Sequence, residues 1–137
     1  MIIQLPFSEL QDYISKQFKQ NVDFHCVNEK TISIGTVVRM PFITKHMNLN
    51  LSVERVEGQN ITLSYSNGIG IDLMVKGTLK FINSMFPEYG EIVEDRTANS
   101  FIVHLGKVKQ LESVFEHVRL RDVRFEGQGL LLDASLL

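Results

Sequence analysis

Cys26 and the four histidines, His25, His46, His104 and His117, are the residues best suited to nucleophilic or metal chemistry, and their spacing supports neither. His25 and Cys26 are adjacent in a segment that alternates apolar and polar residues. In a strand they point to opposite faces and cannot easily form a thiolate–imidazole pair. Cys26 shares its face with Phe24, the position of a small core residue. The histidines are scattered along the chain and match no zinc-ligand spacing. Glu88, Glu91, Glu94 and Asp95 form an acidic cluster that could hold Ca²⁺, but the spacing is not that of an EF-hand loop, and a solvated sheet edge accounts for it. Asn67-Gly68-Ile69-Gly70 precedes a helical pattern. The third glycine of a dinucleotide fingerprint would fall on Leu73, however, and no phosphate-binding lysine follows. These residues offer no catalytic group, no metal site and no cofactor site, so we expect a protein that is not an enzyme.

Basic and apolar residues carry more information. Arg119 and Arg121 are two apart in a strand-like segment, which places both on one face, with Arg124 nearby and Lys107 and Lys109 just before. Such a patch suits an anionic headgroup or a protein partner, unless the interspersed Glu112, Glu116, Asp122 and Glu126 simply neutralise it. The loop Arg39–His46 is unusual because it carries Met40, Phe42 and Ile43 between cations. Apolar tips flanked by Lys and Arg suit an interface, peripheral contact with a membrane surface or the mouth of a ligand site. The plain alternative is a loop that folds back on the core. The formal net charge of −2 supplies no bulk positive field, so nucleic acid is not an expected partner.

These residues must be positioned by elements that the hydrophobic period reveals. Leu10, Tyr13, Ile14 and Phe18 form one helical stripe from about Ser8 to Gln20, with Ser8 as N-cap and Gln11 completing a capping box. Val22–Val27, Lys30–Val38, Met47–Val56 and Asn60–Ser66 then alternate with period 2, as half-buried antiparallel strands do. From Ile71 to Met85 the period becomes helical, through Met74, Val75, Leu79 and Ile82. Glu91–Thr97 and Ser100–Leu105 read as a hairpin, Lys107–His117 as a third helix, and Val118–Glu126 with Gly129–Leu137 as a closing hairpin. The apolar phase slips between Leu120 and Val123, which predicts a bulge near Asp122. The order αββββαββαββ, with strands grouped in hairpins, argues for an α+β fold. The expectation is one curved antiparallel sheet wrapped around amphipathic helices. With 137 residues, 44% of them apolar, the chain reads as a single domain, 1–137.

The start, MIIQLPFSELQDYISKQF, has no basic region followed by a long apolar run, and no stretch approaches 18 apolar residues. One cysteine allows no intrachain disulfide. A cytoplasmic location is expected.

The helix, the long alternating strands, a second helix after YSNGIGIDLMVKGTLKF and the closing LGKVKQLESVFEHVRLRDVRFEGQGLLLDASL together resemble the tubular lipid-binding superfamily, to which bactericidal/permeability-increasing protein belongs. The resemblance implies a curved sheet around a helix and an apolar groove for a lipid or fatty-acyl chain, with no catalytic residue. This chain would supply one short unit rather than two in tandem. The groove-lining residues expected here are Leu51, Val53, Leu63, Val75, Leu79 and Leu120, with Met40, Phe42 and Ile43 at its mouth. The alternative is a non-catalytic interaction or assembly module whose core is fully packed. Leu131 and Leu137, on the outer face of a strand expected at a sheet edge, suggest a homodimer through Leu130–Leu137. The alternative is that this strand covers Met1–Leu5 within one chain.

Overall fold

Period-2 patterning builds most of the molecule. The computed structural model describes residues 1–39, 41–42, 44–66, 93–96, 99–107 and 111–137. The chain opens with strand β1 (Ile2–Pro6) and helix α1 (Phe7–Phe18). Strands β2 (Val22–Asn28), β3 (Thr31–Arg39), β4 (Thr44–Glu57) and β5 (Asn60–Tyr65) follow as successive antiparallel hairpins. Strands β6 (Val93–Asp95) and β7 (Ser100–His104) complete a six-stranded sheet of order β2-β3-β4-β5-β7-β6. A 3₁₀ turn at Leu105–Lys107 and a short helix α2 (Glu112–Phe115) lead to β8 (Val118–Glu126) and β9 (Gly129–Leu136). These last two join β1 in a three-stranded sheet of order β1-β9-β8. The fold is α+β, dominated by antiparallel sheet.

Several expectations need correction. There are two sheets where one was expected, because β8 pairs with β9 and not with a strand of the larger sheet. Strand β1 was not anticipated. It forms because Ile2–Pro6 pairs with Asp133–Gly129 at the far end of the chain, beyond the reach of local pattern. Helix α1 starts at Phe7, one residue before the expected Ser8 cap, and no side chain caps it. The Phe7 N–H donates to Gln128 O instead (2.8 Å). Gln11 is free of any capping box, and its Oε1 accepts the N–H of Phe24 (3.0 Å), a backbone donor on the edge strand β2. Within the expected third helix, only Glu112–Phe115 is α-helical among the described residues. The helix expected over Ile71–Met85 lies outside the described residues.

The phase slip in β8 is a bulge: its register with β9 shifts between Leu120 and Asp122, so that Leu120 and Val123 both face the core. Strand β9 lies in the middle of its sheet, hydrogen-bonded to β1 on one side and β8 on the other. The edge expected at Leu130–Leu137 is therefore already occupied within the chain, and dimerisation by strand addition there has no free backbone to use. The covering of Met1–Leu5 is what the chain does: the Met1 ammonium donates to Ala134 O (2.7 Å).

The core lies between the two sheets. Ile32, Val53 and Ile61 from the larger sheet meet Leu120, Val123, Phe125 and Ala134 from the smaller one, with Phe7 and Phe115 closing the cluster. Backbone bonds lock the arrangement. The Phe125 N–H donates to Glu29 O (2.8 Å) in the β2–β3 turn, and the Leu120 N–H to Gly58 O (2.9 Å) in the β4–β5 turn. Gly58 sits at φ +66°, a left-handed conformation in which a side chain is strained. Thus β8 runs across the turn ends of two hairpins and is hydrogen-bonded to both.

Candidate functional site

Burial on the apolar face of the larger sheet is greatest near β8, where Ile32 and Val53 are buried. Ile34 and Leu51 are only half-buried, as are Phe24 and Cys26 on β2 and Leu63 on β5, although Leu51 is the cross-strand partner of Ile32 and Leu63 that of Val53. At the opposite end of the hairpin, Phe42 is 100% exposed. Tyr65 departs from the trend: it is buried, with its ring 6.3 Å from that of Phe101. The apolar face of the larger sheet thus carries a half-buried middle between closed positions.

The residues expected to line a groove divide accordingly. Val53 and Leu120 are core residues, 8% and 6% exposed. Leu51 and Leu63 pack partly buried against the same cluster. Phe42 stands apart at the hairpin tip. Met40, Ile43, Val75 and Leu79 lie outside the described residues. The structure brings four of the named positions to one apolar surface and leaves one fully solvated.

The charged groups fall on other surfaces. Arg119 and Arg121 are exposed. Asp122, at the bulge, takes a hydrogen-bonded ion pair from Lys30, whose Nζ also donates to Val123 O (3.0 Å). Arg124 Nε lies 3.8 Å from the other carboxylate oxygen of Asp122. Burial disfavours the ionised carboxyl. The Lys30 hydrogen bond, the Val123 N–H and the positive charges of Lys30 and Arg124 together outweigh it, holding the Asp122 pKa below its ordinary value. This cluster joins the β2–β3 turn to β8 and has a structural task.

Two open depressions lie on the opposite, polar face of the larger sheet. One, about 370 Å³, is bordered by Arg55, Glu57, Asn60, Thr62, Glu94 and Arg96, among others. The other, about 220 Å³, includes Asp23, Gly35, His46 and Asn48. Neither was anticipated. Alternation marks this face as wet, and only the contrast of short side chains on β5 with long ones on β4 could have signalled a hollow.

Comparison with family models, with curated proteins and with solved structures finds no match. The class that the geometry itself defines is a two-sheet α+β protein with an apolar inter-sheet core. Among the described residues no helix is long and apolar enough to cross a membrane.

Proposed function

We propose that the protein binds a lipid or fatty-acyl chain along the apolar face of its six-stranded sheet. In this reading the larger sheet curves over amphipathic helices, with Leu51, Leu63, Val75 and Leu79 named as contacts of the chain. The observation that carries the reading is the set of half-buried apolar side chains Phe24, Ile34, Leu51 and Leu63, which share the face of the buried Ile32 and Val53 and pack beside them. Covering such a row with an acyl chain contributes about 0.8 kcal/mol for each methylene withdrawn from water. Val53 and Leu120 then close the inner end of the site. The exposed Phe42, with Met40 and Ile43 beside it in sequence and Arg39 and Lys45 flanking, provides the contact with a membrane surface from which a ligand is drawn.

Displacement of a fluorescent fatty acid tests this. Saturable binding is expected, weakened at least tenfold by Leu51→Glu in a variant that keeps the wild-type circular dichroism spectrum. Absence of saturable binding to the wild type removes the proposal. That result would leave the second reading, an interaction module with a filled core, which the fully exposed Phe42 also favours.

A further inference from the structure

The larger depression on the polar face has a simple origin in side-chain length. Residues opposite one another in an antiparallel pair share a face. Three cross-strand rows follow from the register. Glu57, Asn60 and His104 form the first; Arg55, Thr62, Ile102 and Glu94 the second. Ser64 and Ser100 form the third, extended by Arg96, whose N–H donates to Ser100 O (3.1 Å). Over most of the trough the two inner strands, β5 and β7, carry short or uncharged side chains. The outer strands, β4 and the β6 segment, carry arginines and glutamates. The result is a trough of about 370 Å³. Its floor, Ile102, is only 9% exposed although it sits on the face away from the core.

The charges of this trough are unequally matched. Arg55 pairs with Glu57 (3.3 Å). The His104 ring is held at both nitrogens, 2.8 Å from Asn60 Oδ1 and 3.1 Å from Glu94 Oε2. Both glutamates therefore have a partner. Among the described side chains no carboxylate lies within ion-pair distance of the Arg96 guanidinium, and Arg96 lines the trough together with Thr62, Ser100 and Ile102. Guanidinium presents a planar fork of donors that matches an oxyanion. The volume is at the small end for ligand sites, which suits a metabolite rather than a polymer.

We infer that this trough binds a small oxyanion, a phosphate or carboxylate group, with Arg96 as its principal cationic contact and Thr62 beside it. The site is open to water, so affinity is weak, with Kd on the order of 1 mM. It is independent of the apolar face and of any lipid bound there.

The test is a two-dimensional amide NMR titration at constant ionic strength, with inorganic phosphate in one arm and acetate in the other. Saturable shifts are expected at residues 60–64, 94–96 and 100–104. The arm that saturates at lower concentration identifies a phosphoryl or a carboxylate ligand. Arg96→Gln should weaken binding at least fivefold, while Arg121→Gln, an exposed arginine on the other sheet, should leave it unchanged. Linear shifts in both arms, or equal weakening by the two substitutions, would overturn the inference, because either shows general screening of surface charge and not a site.

Discussion

Leu120→Ala measures how much of the apolar surface is packed core and how much is open face. Leu120 is 6% exposed and belongs with Val53 and Val123 to the cluster between the sheets. Truncation there removes transfer free energy and leaves a cavity that two hydrogen-bonded sheets cannot easily close. The expected cost is about 3–4 kcal/mol. Leu51 is only half-buried, so the same truncation should cost about 1–2 kcal/mol. The chain has no tryptophan, so urea unfolding is best followed by far-ultraviolet circular dichroism. With a slope of about 1.5 kcal/mol per molar urea, Leu120→Ala should lower the midpoint by about 2–3 M and Leu51→Ala by about 1 M, at unchanged slope. A Leu120→Ala loss below about 1 kcal/mol, or equal losses at both sites, would refute the division into core and open face.

Two further outcomes follow from the same geometry. Asp122 has a folded pKa below its unfolded value, so its contribution is complete above the ordinary aspartate range and is lost as pH falls below about 4 through the folded value. Asp122→Asn should therefore lower the urea midpoint at pH 7 and converge on the wild type once the pH lies below the folded value; the carboxylate is more than a third exposed, so the effect at pH 7 is only about 0.5 kcal/mol. Ser8→Ala should be near neutral in thermal melts, because no side chain caps α1, whereas Gln11→Ala should cost about 1 kcal/mol by leaving the Phe24 N–H without its acceptor; the reverse order of effects would show that Ser8 is the cap after all.

What could be read from the residues was the local geometry. Alternation located the β2–β5 hairpins, and the slip between Leu120 and Val123 located the bulge, because both depend on a strand's own two-residue period. The period says which residues share a face, and nothing about which sheet a strand joins. Strand β9 therefore looked like an edge, and it is a centre. IIQLP carries too little alternation to be read as a strand, and only its distant partner makes it one. The candidate site suffers from the same limit. Leu51 and Val53 are equivalent in pattern, yet one is half-buried and the other buried, since depth is set by where β8 crosses. The polar trough depends on lateral neighbours from four strands, a relation that no single segment contains.

The hydrogen bond between Met1 and Ala134 joins groups 133 residues apart in sequence. The β1–β9 pairing has the longest loop to close in the molecule, and closure entropy grows only slowly with loop length, by about 0.6 kcal/mol per doubling. The kinetic consequence is larger than the thermodynamic one. Such contacts belong to the slow end of folding, after local hairpins such as β2–β3 and β4–β5 have formed. During synthesis, β1 emerges before β9 and must wait for it, so its uncharged edge stays unpaired while the residues between them are made. The stretch most in need of protection from aggregation in the nascent chain is therefore Ile2–Leu5, which in the finished fold is held by its partner.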